Sequence, residues 1–271
     1  MGRGGGPQVT RAALLLAALA LGACSRAPTL VACADPNNLP FSNRAGEGFE
    51  NKLAEMIAAD LHAKLRYVWW AQRRGYVRNT LNEAKCDFWP GIASNVEMAA
   101  TTRPYYRSTY VFVTRAGDKL QGLTLDDPRL DKLRIGVQLV GDDFSNTPPA
   151  HALTRRGIVG NVRGYTLYGD YAKPNPPAEI IEATERGDVD VALAWGPLAG
   201  YFAGKSRVPL RLEPATPWMD DMQWPTQLDV SVGVRRDDQK LLKRIDQVLS
   251  HRKAEIRKLL DAYRVPLVSG G

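Results

Sequence analysis

The chain has 271 residues and a formal net charge of +7, and 44% of its residues are hydrophobic. This length accommodates one large domain or two of ordinary size. The basic residues alternate with acidic pairs and form no basic face or tail, which argues against a nucleic-acid-binding protein. A modest basic excess is compatible with an acidic protein partner or an anionic lipid surface.

Residues 1–23 have the features of a secretory signal peptide. Arg11 precedes an apolar run over 12–21, and small residues follow that run. The run is shorter than the roughly 20 apolar residues that span a bilayer. Its Leu-Gly-Ala-Cys ending resembles a bacterial lipoprotein signal, in which Cys24 becomes the lipidated first residue. The alternative is ordinary cleavage near Ala23, with Cys24 as an incidental thiol.

Two further cysteines, Cys33 and Cys86, follow the signal. In an oxidising compartment such a pair favours one disulfide. That bond would close a loop of about 50 residues and contribute roughly 4 kcal/mol in the chain-entropy model. The alternative is two buried free thiols, because Cys33 lies in an apolar strand and cysteine is often buried.

The first part of the mature chain alternates between strand and helix patterns. Apolar residues recur at three- and four-residue spacing after Gly48, as on one face of a helix. The alternation predicts a mostly parallel sheet with helices on its faces. The predicted elements are a strand at 30–34, a helix with Phe49, Leu53, Met56, Ile57 and Leu61 on its apolar face, a strand at 65–70, a helix over 76–81 and a strand at 86–93.

A second alternation begins after an apolar, β-branched strand at 110–114. A late strand and a long amphipathic helix follow it. The predicted elements are strands at 134–139, 161–168 and 189–194, helices at 150–156 and 178–186, a short strand at 208–212, a strand at 228–234 and one helix from Leu241 to Tyr263. The Trp195-Gly196-Pro197 run is predicted to stop the strand at 189–194.

These two units predict an α/β protein of two lobes. The strand at 228–234 arrives after the second alternation is complete. We therefore predict that residues 30–112 and 229–268 form lobe 1 and that residues 113–228 form lobe 2. Ligands of open parallel sheets bind beyond the carboxyl ends of the strands, so two facing sheets share one cleft.

Five segments resemble a known family. Residues 33–50 (CADPNNLPFSNRAGEGFE) are similar to the opening of type II periplasmic solute-binding proteins. Four further segments resemble a narrower branch, the "J" accessory proteins associated with quinoprotein methanol dehydrogenases. They are WWAQRRGYVRNTL (69–81), CDFWPGIA (86–93), TTRPYYRSTYVFV (101–113) and VDVALAWGPLAGYFA (189–203). The resemblance covers residues 30–268.

The resemblance implies a two-lobe periplasmic-binding-protein type II fold, with mixed, mostly parallel sheets, flanking helices and a two-strand hinge. It implies a periplasmic protein whose partners are a pyrroloquinoline-quinone alcohol dehydrogenase and its c-type cytochrome. The protein itself would bind no cofactor and do no redox chemistry. Its implied role is to assemble or activate the dehydrogenase, or to deliver something that the enzyme needs.

In amino-acid receptors of this fold, an arginine after the third strand holds the ligand carboxylate, and an acid in the second lobe holds the ammonium. Residues 94–97 (Ser-Asn-Val-Glu) contain no arginine, and residues 195–197 (Trp-Gly-Pro) contain no acid. An amino-acid ligand is therefore not expected.

Other residues are candidates for the cleft. Aromatic rings at strand ends form apolar walls that grip a ligand or partner, although Trp70 is equally compatible with packing at the hinge. Arginines near the cleft mouth would hold an acidic group, although surface arginines are more often simply solvated. The predicted cleft residues are Asp35, Asn38, Phe41, Trp70, Arg73, Gly91, Arg103, Tyr105, Trp195 and Gly196. For Asp35 and Asn38 the alternative is turn formation.

No catalytic or metal-binding motif is found in the sequence. The histidines at 62, 151 and 251 lack zinc-ligand spacing, and no nucleophile elbow or phosphate-binding loop is present. Asp220-Asp221 is interpreted as a solvated loop, with a cation site or docking patch as the alternative.

Three hypotheses remain: a non-enzymatic accessory protein that docks on a quinoprotein dehydrogenase, a receptor for a small non-amino-acid solute of an ABC transporter, and an enzyme. An enzyme would need a general acid at the cleft, for which Glu97 and Asp142 are the candidates.

Overall fold

The computed structural model describes residues 1, 2, 4, 27–140, 146–168, 170–220 and 224–268. Nearly all of the predicted signal peptide, with Cys24, lies outside the described residues, as do Asp142 and Asp221. No helix in the described part of the chain is both long and apolar enough to cross a membrane.

The first half of the fold alternates strands with helices, as the apolar spacing predicts. Its elements are β1 (Thr29–Ala34), β2 (Asn37–Asn38), β3 (Ser42–Asn43), α1 (Phe49–Asp60), β4 (Lys64–Trp69), α2 (Tyr76–Asn79), β5 (Phe88–Ala93) and β6 (Ala100–Thr101). Strands β4, β1 and β5 are parallel neighbours. Helix α1 buries its apolar face in the core cluster beside this sheet, with Phe49, Leu53 and Ile57 almost fully buried.

The second half repeats the alternation and then returns to the first sheet. Its elements are β7 (Tyr106–Arg115), a 3-10 helix (Pro128–Lys132), β8 (Ile135–Leu139), α3 (Pro148–Arg155), β9 (Val162–Thr166), a 3-10 helix (Pro176–Ala178), α4 (Glu179–Arg186), β10 (Val191–Trp195), α5 (Gly196–Ala203), β11 (Leu210–Pro214), β12 (Gln227–Val234), α6 (Gln239–His251) and α7 (Lys253–Ala262).

Strand β7 joins the two lobes. Its first residues pair with β12, which also pairs with β5, while residues from Tyr110 onward pair with β10 and β11. Beyond β10 the sheet continues in parallel to β8 and β9. The result is the two-domain periplasmic-binding-protein fold with mixed sheets and flanking helices. Boundaries at 112/113 and 228/229 stay predictions.

The predicted disulfide is present. Cys33 and Cys86 are bonded, with their Cα atoms 5.4 Å apart, and the alternative of two free thiols is wrong. Both residues are fully buried in a small cluster with Tyr76, Val77 and Leu81. The bond therefore ties β1 to the start of β5, at the strands whose ends face the cleft.

Two predicted elements differ from the structure, and one helix was not predicted. Helix α2 is a single turn that begins after Gly75, whose φ is +82°. The C-terminal helix is two helices that meet at Arg252, whose guanidinium binds Asp60 at the end of α1. The strand stops at Trp195 as predicted, but helix α5 follows it directly, because proline is well tolerated in the first turn of a helix.

Two glycines allow α5 to pack closely against its neighbours. A Cβ at Gly200 would collide with the main-chain oxygen of Arg264, and one at Gly196 would collide with that of Thr109. The Gly-Pro-Leu-Ala-Gly run therefore allows close packing against β7 and the C-terminal segment. The sequence of α5 has no amphipathic pattern that would predict a helix, because the helix is covered on most sides.

Candidate functional site

A cavity of about 200 Å³ lies between the lobes, beyond the ends of β1, β5 and β10. Residues from both lobes line it, and most of its lining is aromatic or aliphatic. The first lobe contributes Asn38, Phe41, Glu50, Gln72, Gly91, Ile92 and Ala93, the second contributes Gln138, Leu167, Tyr168, Trp195 and Leu198, and strands β7 and β12 contribute Tyr106, Tyr110, Leu228 and Val230. A larger open groove of about 980 Å³ between α1 and the α6–α7 junction touches none of these residues.

The start of α1 places Phe41 and Glu50 at the cavity. The amide of Phe49 donates to the carbonyl of Pro40 at 2.8 Å, and that of Glu50 donates to the carbonyl of Phe41 at 2.9 Å. Gly48 permits this approach, because a Cβ there would overlap the backbone of Phe41. The loop after β1 is thus fastened to the first turn of α1.

Glu50 is the ionisable carboxyl group of the cavity wall. Its residue is 6% exposed. Burial, with a smaller contribution from the charge of Asp35, raises the pKa of the Glu50 carboxyl to about 8. The carboxyl lies against the main chain of Gly91, where a Cβ would collide with it. Glu50 is therefore predominantly protonated at neutral pH.

Asp35 lies at the end of β1, next to the cavity. Its carboxylate accepts from the amide of Asn37 at 2.8 Å and from that of Gln72 at 2.6 Å. It also accepts from the hydroxyl of Tyr171, which belongs to the second lobe. Burial and this hydrogen bond raise the pKa of Tyr171. Asp35 therefore fastens the first lobe to the second.

Further contacts hold the lobes together. The Asn37 side-chain amide donates to the carbonyl of Lys173 at 2.9 Å, and its oxygen accepts from the amide of Asn175 at 3.2 Å. The guanidinium carbon of Arg73 lies 4.8 Å from the ring centroid of Tyr171. These contacts therefore join the two lobes across the cleft.

Three side-chain amides, those of Asn38, Gln72 and Gln138, line the cavity and each makes one hydrogen bond. Asn38 Nδ2 donates to Gln72 Oε1 at 2.8 Å. Gln138 Oε1 accepts from the amide of Trp195 at 2.9 Å. The remaining polar atoms of these side chains make no hydrogen bond with the described residues. They are Asn38 Oδ1, Gln72 Nε2 and Gln138 Nε2. An amide presents a donor on one side and an acceptor on the other, so the cavity offers both.

Four predicted cleft residues line the cavity: Asn38, Phe41, Gly91 and Trp195. Asp35 lies just behind them. Arg73 lies at the contact between the lobes rather than at the cavity itself. The rings of Trp195 and Tyr110 pack together in the cavity wall, with their centroids 5.1 Å apart.

The structure places the other four predicted residues elsewhere. Arg103 points to solvent with 72% of its side chain exposed, because it pairs with Asp246 on α6 at 2.7 Å. Trp70 is 39% exposed beneath Lys85. Tyr105 packs into the first-lobe core beside Tyr106, and Gly196 packs against β7. Neither contributes to the cavity.

Sequence reasoning missed Glu50, Gln72, Gln138, Tyr110, Tyr168 and Tyr171 as functional residues. An acid in the first turn of a helix usually indicates a solvated residue that favours the helix dipole. Gln138 gave a usable signal, since it is a polar residue inside an apolar strand. Glu97 is exposed and lies away from the cavity.

The loop with Asp220 is not simply solvated, which corrects the interpretation above. The side chain of Asp220 is 8% exposed and pairs with Arg155 and Arg156. Hydrogen bonds from Arg156, and then Arg155, lower the pKa of Asp220. The described residues contain no cluster of three or more acids, histidines or cysteines that would bind a metal ion.

Comparison with known proteins identifies the family. The family model for bacterial extracellular solute-binding proteins, family 3, matches residues 30–265. The chain belongs to this family. It is 31% identical over 254 residues to MoxJ of Methylorubrum extorquens, covering 89% of this chain and 82% of that protein. It is 32% identical to MoxJ of Paracoccus denitrificans, covering 96% and 97%.

A solved structure gives the same assignment. The periplasmic binding protein XoxJ from Methylobacterium extorquens AM1 superposes with a TM-score of 0.73 at 38% identity, over 89% of this chain and all of that one. Within family 3, the chain therefore falls in the MoxJ-like branch.

Proposed function

We propose that this protein is a periplasmic, non-enzymatic accessory protein that docks on a quinoprotein methanol dehydrogenase or a related alcohol dehydrogenase. The observation that carries the proposal is the 38% identity to XoxJ along the full length of that structure. Both MoxJ relatives support it over most of their own length. A c-type cytochrome that accepts electrons from the dehydrogenase is a further proposed partner.

The cavity argues against a receptor for amino acids. Among its described lining residues, Glu50 is the one carboxyl group, and no arginine or lysine is present to pair with a ligand carboxylate. Burying an unpaired charge costs several kcal/mol. About 1.4 kcal/mol corresponds to a tenfold change in affinity, so a zwitterion would be bound weakly or not at all.

The cavity also gives little support to catalysis. A general acid acts together with a base or nucleophile held within hydrogen-bonding distance of the reacting atoms. Glu50 has no hydrogen-bond partner among the described residues, and no histidine, lysine or cysteine lines the cavity there. We therefore propose binding without turnover.

The proposed docking place is a groove of about 510 Å³ across the mouth of the cleft, here named the mouth groove. Both lobes form it. Its exposed apolar residues are Met98 from the first lobe and Val140 from the second. Its described lining also contains the arginines Arg73 and Arg78, and no acid. An acidic loop of the dehydrogenase with one apolar side chain fits this chemistry.

The test is direct binding between the purified mature chain and its dehydrogenase, measured by sedimentation or biolayer interferometry at low and high salt. We expect a complex that weakens with salt and is weakened at least tenfold by Arg78→Glu. Lys258→Glu, at an exposed site on α7, is the matched control and should bind as the parent does. Calorimetry should show no heat with common amino acids. No complex, together with amino-acid binding, would overturn the proposal.

We further propose that residues 1–23 direct export and that Cys24 carries a lipid anchor. Mass spectrometry of the protein isolated from membranes tests this directly. A diacylated amino-terminal Cys24 is the expected result, and a soluble mature protein with an unmodified terminus would exclude the anchor.

A further inference from the structure

The cavity contains polar atoms that the protein leaves unused. Among the described residues, the Glu50 carboxyl accepts and donates no hydrogen bond, although its residue is only 6% exposed. Gln72 and Gln138 use their oxygens and leave their Nε2 groups unpaired, and Asn38 uses its nitrogen and leaves its oxygen unpaired. These atoms face the cavity, where a bound molecule can reach them. A few convergent polar groups in a mostly apolar cavity are typical of a small-molecule site.

The charges around the cavity restrict that molecule. Neither lysine, arginine nor histidine is among its described lining residues, so a carboxylate or phosphate would have no counter-ion. The one carboxyl group, that of Glu50, lies in a wall of aromatic and aliphatic side chains with a pKa of about 8. A cation would have to displace the Glu50 proton at neutral pH, whereas an uncharged ligand binds the protonated acid as it stands.

The size and walls of the cavity restrict the molecule further. Its volume of about 200 Å³ is smaller than the roughly 300–1,000 Å³ of pockets for drug-sized ligands, so it suits a small compound. The rings of Phe41, Tyr110 and Trp195 supply apolar faces for a compact hydrocarbon part. The unpaired amides supply donors and an acceptor at the same wall.

We infer that the cavity binds a small uncharged carbonyl or hydroxyl compound, held by the carboxylic acid of Glu50 and the side-chain amides of Gln72 and Gln138. The acid O–H and the two Nε2 groups are the donors available to a ligand oxygen, and Asn38 Oδ1 is the acceptor available to a ligand O–H or N–H. This inference goes beyond the proposed docking function, because it concerns the interior of the cleft and not the mouth groove.

Gly91 makes the site possible. The Glu50 carboxyl occupies the space where a Cβ on residue 91 would lie, and the backbone of Gly91 itself is not in the left-handed region. A methyl group at this position therefore leaves the main chain unstrained but pushes the carboxyl from its place. Gly91→Ala is consequently a second variant that tests the position of the acid without removing it.

The experiment uses three probes of matched size: N-methylacetamide, tetramethylammonium and acetate. Binding to the isolated mature protein is measured by ligand-detected NMR between pH 6 and pH 9. We expect saturable binding of N-methylacetamide only. Glu50→Gln should retain it within about threefold, while Glu50→Ala and Gly91→Ala should weaken it about tenfold, as expected for one lost hydrogen bond.

The pH profile separates a binding role from a merely structural one. Affinity for N-methylacetamide should fall above pH 8 in the parent protein, where Glu50 loses its proton, and should be constant in Glu50→Gln. Binding of tetramethylammonium that grows with pH and disappears in Glu50→Gln would overturn the inference. So would the absence of saturable binding by N-methylacetamide. Because no dehydrogenase is present, either failure leaves the docking result independent.

Discussion

The two walls of the cavity differ in chemistry. The wall of the first lobe contains three polar side chains, those of Asn38, Glu50 and Gln72, among apolar ones, and the acidic side chain of Asp35 lies behind it. The wall of the second lobe, with Tyr168, Trp195 and Leu198, is aromatic and aliphatic apart from the amide of Gln138, and none of its described lining residues is charged. A receptor for a zwitterion needs an opposite charge for each end of its ligand. One wall with a single carboxyl group and one wall without charge fit an uncharged ligand instead.

The two walls also differ in how they are held. A disulfide braces the first wall, and the hydrogen bonds of Asp35 and of the α1 start fix its loop. The second wall reaches the first through Tyr171 and the main chain near Asn175. We infer that the first wall is rigid and that opening of the cleft moves the second wall away from it.

The largest effect on stability should follow removal of the disulfide. Replacing Cys33 and Cys86 together by serine removes a link across 53 residues. We expect the free energy of unfolding to fall by about 4 kcal/mol, because the unfolded chain gains conformational entropy. Urea unfolding monitored by circular dichroism measures the loss, and reduction of the parent protein should reproduce it. A double variant as stable as the parent would show that the first wall does not depend on the bond.

The next largest effect is the pH dependence of stability that Glu50 causes. Its pKa is about 8 in the native protein and 4.5 for an unperturbed glutamate. Between these values the native state holds a proton that the unfolded state has released, so stability falls as the pH rises. The slope is about 1.4 kcal/mol per pH unit.

Urea unfolding of the parent and of Glu50→Gln at pH 5, 6 and 7 isolates this contribution, because all other titrating groups are common to both. We expect the stability of Glu50→Gln relative to the parent to rise by about 3 kcal/mol over that range. A difference that does not change with pH would mean that Glu50 is solvated, and the first wall would then carry a charge.

A smaller effect should follow loss of the contact between the walls. Tyr171→Phe removes the hydroxyl that donates to Asp35. A hydrogen bond to a charged group contributes about 1.5 kcal/mol, so the ratio of open to closed molecules should rise roughly tenfold. Double electron–electron resonance gives the distribution of distances between spin labels on the two lobes, and this distribution measures the ratio of open to closed molecules. Tyr165→Phe is the matched control, because the Tyr165 hydroxyl is buried without a hydrogen-bond partner. Equal distance distributions for both variants would contradict the closing role.

Apolar periodicity predicted the elements that build the lobes. The strand and helix positions around Cys33, Phe49 and Val191 follow from spacing alone, because burial on one or both faces dictates where apolar residues lie. The aromatic residues Phe41 and Trp195 were predicted for the same reason, since strand ends meet at the cleft. The disulfide followed from the number of cysteines.

Features that depend on close packing were not predictable. Glu50 is buried because Gly91, 41 residues later in the chain, leaves room for its carboxyl group, and no local pattern encodes that pairing. Helix α5 depends on glycines that contact the chain at Thr109 and Arg264. Arg103 resembles a cleft residue in its sequence context, but Asp246 on α6 holds it at the surface. Long-range partners decide each of these outcomes.

The most direct test of the docking function is the activity of the alcohol dehydrogenase in cells that lack this protein. The dehydrogenase should be measured in periplasmic extracts of a deletion strain, together with uptake of labelled solutes by whole cells. Dehydrogenase activity should fall, return with the parent gene and not return with the Arg78→Glu variant, while solute uptake is unchanged. Full dehydrogenase activity combined with loss of uptake of one solute would contradict the account and identify the protein as a transporter receptor.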